Sequence, residues 1–306
     1  MTRDVLAEAD DAAERAAKGA GVVIRELASL EELGAAIEIF DSIWVPDAGN
    51  SSVRLDLLRA LTKSGNYATG AYDVTSGSLL GACVGFFGPP AHAELHSHIA
   101  GVVSAGLGRS VGFALKVHQR SWCLRRDVRV IAWTYDPLIR RNAYFNVVKL
   151  GARPVQYLAN FYGVMSDAIN GGTETDRMLA HWDLRSRPVA DACAGRSFPM
   201  SHAREMARGA VVALSSGADG WPVAGPGADG AGRPSPHASG TGSVTASGAV
   251  LVGVPADIEA LRVTDPACAA AWRSALREAL VPLMASGARV TGFDRDGWYL
   301  VSAGAK

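Results

Sequence analysis

A strand-length apolar run that dissolves into glycines and resumes at helical spacing leaves a chain few ways to fold. Residues 96–112, HSHIAGVVSAGLGRSVG, form such a run. The pattern predicts a strand over His96–Val103, a glycine-rich turn over Ser104–Ser110 and a helix from Val111 to about Arg126. That helix would bury Val111, Ala114, Leu115, Val117 and Trp122 on one face. The first amides of a helix have no intrahelical acceptor, and the helix dipole adds positive potential there, so a turn entering a helix this way cradles anions. The expected ligand is the pyrophosphate of a nucleotide-like cofactor. A dinucleotide-binding G-x-G-x-x-G does not fit: Gly106 and Gly108 supply two glycines, but Val111 stands at the third.

The flanking segments set the architecture. Residues 1–20 read as a solvated N-terminal tail or a short polar helix. Gly21–Leu27 is a strand, and Ser29 with Glu32 makes a capping box for a helix carrying Leu33, Ile37 and Phe40. A second helix spans about Ser52–Lys63. Tyr67–Val74 and Ser78–Phe87 form a hairpin, and Gly81 and Gly85 within it mark close approach by another element. After the glycine turn and its helix come a strand at Val128–Tyr135, a helix opened by Asp136 as N-cap with Pro137 at N1 and closed by Gly151, and a strand at Ala152–Tyr162. A hairpin meander followed by helical crossovers predicts an α/β fold with a mixed, mostly antiparallel sheet and helices on both faces.

Beyond residue 165 the chain reads as an α+β appendage (166–306) on a core domain (21–165), with no chemistry-bearing constellation of its own. Its strands fall at Arg177–Leu184 and Ala249–Val254, a helix or strand at Ala203–Leu214, a helix at Pro266–Met284 that Pro282 kinks or ends, and a final hairpin at 289–301. Residues 217–248 hold almost no large apolar side chain, which predicts a flexible loop.

The formal net charge of zero argues against nucleic acid as a partner. No apolar run reaches the ~20 residues of a membrane span. The four cysteines, Cys83, Cys123, Cys193 and Cys268, fit no metal-binding spacing, which predicts reduced thiols, no metal and a cytoplasmic protein.

Two segments carry a family resemblance. Val103–Gly112 resembles the strand exit and Q/R-x-x-G-x-G/A turn of the GNAT superfamily of acyl-CoA N-acyltransferases. Asn142–Ala152 resembles that family's last core helix, which ends in K-L-G-F. His96-Ser97-His98, Ala114-Leu115-Lys116, Trp133–Leu138 and Asn142–Asn146, with the block Val250–Phe293, are similar to a branch with a long C-terminal extension. The resemblance implies a GNAT-like core and an acetyl-CoA or other acyl-CoA co-substrate. It also implies transfer of an acetyl or succinyl group to the amine of a small molecule, an amino acid among the candidates. Gly101, Val102 and Val103 would meet the pantetheine arm, Gly108, Arg109, Ser110, Val111 and Gly112 the pyrophosphate, and Asn142 the cofactor. In the family's frame Leu107 replaces Q/R and Ser110 replaces the first glycine; only Gly112 is kept. Val147 stands where the family's general-acid tyrosine falls, which leaves Tyr144, one turn earlier, as the candidate acid. His96 and His98, two apart on one strand face, are the candidate bases, with Glu94 a further one. A non-catalytic acyl-CoA-binding module on the same scaffold is the alternative, and a homodimer is a candidate assembly.

Overall fold

A computed structural model describes residues 3–44, 51–163, 174–197, 199–225 and 248–303. The chain divides into two compact units. The first runs to Trp133 and takes back Trp182–Arg196; the second holds the remainder from Thr134.

The first unit contains α1 (Arg3–Ala20), β1 (Val22–Glu26), α2 (Leu30–Trp44), α3 (Leu55–Lys63), β2 (Tyr67–Asp73), β3 (Leu79–Phe87), β4 (Glu94–Val102) and α4 (Val111–Leu124). The start of β5 (Val130–Tyr135) and the later α6 (Arg187–Cys193) complete it. β1, β2, β3 and β4 pair antiparallel in sequence order, and β5 adds parallel to β4. The mixed α/β architecture is thus as expected. The capping box is present: Ser29 Oγ accepts from the Glu32 amide at 3.1 Å, and Glu32 accepts from the Ser29 amide at 3.0 Å. The α2 stripe of Leu33, Ile37 and Phe40 packs with Leu58, Ala68, Ala82 and Val84 into one apolar cluster.

Residues 3–20 are no solvated tail. Ala9, Ala12, Ala13 and Ala20 are buried, and α1 lies along α4, where fully buried Arg120 donates to Glu8 at 2.8 and 3.2 Å and to the Leu184 carbonyl at 3.0 Å. An alanine stripe presents too little apolar area to stand out by hydrophobicity, but its small side chains let two helices approach closely.

The second unit contains α5 (Arg140–Tyr144), continued by a π-helical turn over Phe145–Lys149, then β6 (Arg153–Leu158) and most of β7 (Arg177–Asp183), paired antiparallel. α7 (His202–Ala207), β8 (Val211–Ser216), β9 (Pro222–Ala224), β10 (Ala249–Gly253), α8 (Ile258–Thr264), α9 (Pro266–Ala285), β11 (Arg289–Asp294) and β12 (Trp298–Ser302) follow. Its five-stranded sheet has the order β11-β12-β10-β8-β9. The expected border at residue 165 falls instead at Thr134, because α9 packs on β6 and β11 on the π-helical turn.

Three local readings change here. Asp136 does not cap a helix. Its Oδ1 accepts from the Leu138 amide at 3.0 Å, closing a short turn, and its Oδ2 is held by Arg262 and Arg273. Residues 217–225 are ordered as a β8–β9 hairpin, in which Gly217 and Trp221 bond at 2.8 Å; residues 226–247 of the expected loop lie outside the described residues. Pro282 does not end α9, which runs on to Ala285. It stands in the last turn, where a missing amide costs only one helical bond.

Candidate active site

The site expected around the glycine turn lies within the first unit. β4 pairs with β3 along its whole length but meets β5 only at Glu94, Leu95 and His96. Beyond His96, among the described residues, the second edge of β4 has no strand partner. Backbone N–H and C=O groups on such an edge need polar partners of another kind.

A β-bulge falls where the two strands part. Val84 pairs with Ile99 but Gly85 with Ser97, so His98 is the extra residue. Before the bulge, Leu95 and Ser97 face α4; after it, Ile99 and Val103 face the α2 cluster. His96 and His98 share the face opposite α4, with ring centroids 6.2 Å apart and Phe86 at 5.0 and 5.8 Å. Burial lowers the pKa of both histidines, and for His96 the charges of His98 and Lys116 lower it further. Both are therefore neutral at pH 7 and can accept a proton. Glu94 lies on the strand, at its first position.

Gly81 and Gly85 do mark close approach: a Cβ at Gly81 would sit 2.8 Å from the Gly101 carbonyl, and one at Gly85 2.9 Å from that of His96. Gly101 itself lies under Phe40, Ile43 and Trp44, where a side chain would collide. The Val103 amide donates to the Leu80 carbonyl at 2.9 Å, and the Gly101 carbonyl likewise faces β3, so both are directed to that strand, whereas Val102 between them turns its backbone to the edge that β5 has left.

The turn enters α4 through Gly108 (φ 77°) and Ser110 (φ 63°), both left-handed. Ser110 is the N-cap by position, but its hydroxyl caps nothing. The left-handed region costs an L-residue about 1–2 kcal/mol, against the ~0.5–1 kcal/mol of extra chain freedom that glycine brings to the unfolded state. Ser110→Gly should therefore raise stability by about 0.5–1 kcal/mol; an unchanged denaturation midpoint would show that the strain is relieved elsewhere. Arg109 does not extend toward an anion. It pairs with Asp73 at 2.7 Å and donates to the Ala20 and Gly21 carbonyls at 3.1 and 3.2 Å, tying the turn to β2 and the end of α1. The first-turn amides of α4, at Val111, Gly112 and Phe113, have no intrahelical acceptor, the pattern that suits an anion.

Behind the histidines, on the α4 side, lies a polar cluster that sequence reasoning did not single out. Lys116, 5% exposed, donates to Ser97 Oγ and Gln119 Oε1, each at 2.9 Å, and stands 3.9 Å from the centre of the Trp133 ring. Gln119 Nε2 reaches Cys83 Sγ at 3.5 Å. Burial pulls the Lys116 ammonium down to about 8. The only sequence signal was a lysine inside an apolar helical stripe. Because the folded pKa lies below the unfolded value near 10.5, the folded state sheds its proton first, and stability from this group rises between about pH 8 and pH 10.5. At 1.36 kcal/mol per pH unit, the stability of the native chain relative to Lys116→Met should climb by about 3 kcal/mol across that window. Denaturation series at several pH values check this, and a flat difference would refute it.

Tyr144 and Asn142 belong to the second unit, on α5. The Tyr144 hydroxyl accepts from Arg295 Nε at 3.0 Å. The four cysteines are free and buried. Among the described residues, His202, Asp294 and Asp296 form a group with metal-ligand chemistry, their ligand atoms within 4.8 Å of one another; His202 Nδ1 lies 3.1 Å from Asp294 Oδ2. No described helix is long and apolar enough to cross a membrane.

No protein-family model matches the chain, and no curated protein matches it. Solved structures do. An N-acetyltransferase from Staphylococcus aureus Mu50 matches at 16% identity and TM-score 0.44, over 53% of this chain and 98% of its own. The ribosomal-protein-S18-alanine N-acetyltransferase of Escherichia coli matches at 12% and 0.43, over 54% and 95%. The ribosomal-protein-alanine N-acetyltransferase of Brucella melitensis matches at 16% and 0.44, over 53% and 99%. All three are N-acetyltransferases, and each spans about half of this chain.

Proposed function

We propose that the chain is an acyl-CoA-dependent N-acyltransferase that moves an acetyl or succinyl group to the amine of a small molecule, amino acids included. The observation that carries the reading is the parting of β4 from β5 at His96, on the same strand that leads into the glycine turn and α4. The amides of Val111 and Gly112, with the turn backbone at Gly108 and Ser110, would hold the pyrophosphate. The open edge of β4 at Val102, between Gly101 and Val103, would pair with the amides of the pantetheine arm. The bound co-substrate supplies an acyl carbon already activated as a thioester. A neutral imidazole at His96 or His98 then takes the proton that the amine sheds as its nitrogen bonds to that carbon and the C–S bond breaks. The departing thiolate leaves as the free thiol once protonated.

The test is a thiol-release screen with acetyl-CoA and succinyl-CoA against amino acids and simple amines, beside calorimetry with CoA alone. Amine-dependent thiol release is the expected result. CoA binding without release across the panel would leave an acyl-CoA-binding module, and absence of both would remove the reading.

A further inference from the structure

The second unit contains a cavity of about 380 Å³ between α5 and the start of α8, closed on a third side by Arg295. Ile139, Ala256, Ile258 and the Tyr144 ring give it apolar walls. Its charges are unevenly matched. Arg141 forms a two-pronged ion pair with Glu259. Asp257 is occupied as the N-cap of α8, accepting from the Glu259 and Ala260 amides at 3.0 and 2.9 Å. Among the described residues Arg295 donates only to a neutral hydroxyl, that of Tyr144.

Arg140 has no hydrogen bond or ion pair among the described residues, and its Nε is buried without a partner. The guanidinium lies flat against Gly297, where a Cβ would come within 2.6 Å of Nε, so the absence of a side chain at 297 is what lets it stay. A desolvated guanidinium nitrogen without an acceptor is unfavourable, and a bound anion at the same guanidinium would compensate it.

We infer that this cavity is a binding site for a small organic carboxylate, with the carboxylate on Arg140 and an apolar body between Ile139, Ile258 and Tyr144. The charge count selects the class: three arginines against Asp257 and Glu259 leave the lining at +1, which a monoanion neutralises and a phosphate dianion overshoots. A guanidinium offers a carboxylate two parallel N–H donors, a geometry that lysine cannot reproduce. The site stands on the second unit alone and does not depend on acyl transfer.

Benzoate and its neutral isostere benzamide are suitable probes, titrated by calorimetry or ligand-observed NMR into the full-length chain. Benzoate should bind saturably and at least tenfold more tightly than benzamide. Arg140→Met should remove that preference, and Arg140→Lys should keep only part of it. Equal binding of the two probes, no saturable benzoate binding, or undiminished benzoate binding by Arg140→Met would each overturn the assignment. The probe comparison on the native chain decides the matter even if a variant fails to fold.

Discussion

Alanine at both His96 and His98 is expected to lower kcat/KM for amine acylation by about two to four orders of magnitude, the usual contribution of a positioned general base. The two rings share one face of β4, beside the point where that strand loses its parallel neighbour. The single variants separate them: the base shows most of the loss, and its neighbour little. A structural role would lower activity without moving the pH profile, so the profile is the stronger readout. Only the neutral imidazole accepts a proton, and burial holds both rings below the ordinary 6.5. The rate should therefore rise with pH through a value under 6.5 and stay level from pH 7 to 8. Loss of the base should abolish that rise. Lys116→Met should shift it to higher pH, because the ammonium behind the strand disfavours a second positive charge at His96. Should the double variant keep activity within threefold of the native chain, neither histidine is the base.

The largest stability effect should come from Asp136→Asn. The carboxylate is 5% exposed and faces three guanidiniums: Arg262 in direct contact, Arg273 at 3.0 Å and Arg177 at 3.9 Å. Burial by itself would raise its pKa, but Arg273, Arg262 and the Leu138 amide outweigh burial and hold it below the ordinary value. Asparagine keeps the shape and removes the counter-charge, leaving guanidiniums buried without it, a change that typically costs 3–5 kcal/mol. Urea denaturation at neutral pH measures the loss, and a cost under about 1 kcal/mol would show that the cluster is compensated by other groups. The sign with pH follows. A depressed folded pKa gives stability that is full above the unfolded value near 3.9 and is lost as pH falls through the folded one. The variant should lack that part of the acid limb.

Much of this was legible in the residues. Period and punctuation located the hairpin of β2 and β3, the strand–turn–helix at its centre, the capping box at Ser29 and the final hairpin, because each is determined by neighbours in sequence. Asp136 shows where local reading ends. Asp-Pro is a strong helix-start signal, but its partners Arg262 and Arg273 lie more than a hundred residues away and win the carboxylate. Arg109 is a similar case: an arginine in a phosphate-type turn is claimed by Asp73 and two carbonyls that only the fold brings near. The burial of α1, expected at most as a polar helix, was hidden because alanines that permit close helix packing look like weak hydrophobes. The left-handed backbone at Ser110 was foreseeable only as a question, since nothing local says whether a family glycine has been replaced at a position that needs positive φ.

The bulge at His98 gives β4 something like a reading frame. Upstream of it, odd-numbered residues look toward α4; downstream, odd-numbered residues look toward α2. A deletion of one residue from 100 to 103 would restore an unbroken register with β3 and, in doing so, turn the segment between His98 and the gap inside out, sending Ile99 into the helix that Ser97 serves, whereas loss of His98 itself would leave the other residues facing as they do. Single-residue deletion beyond Ile99 is therefore barred, as is any side chain at Gly101. Lineages should hold the length from Ile99 to Val103 fixed and vary it, if at all, at His98.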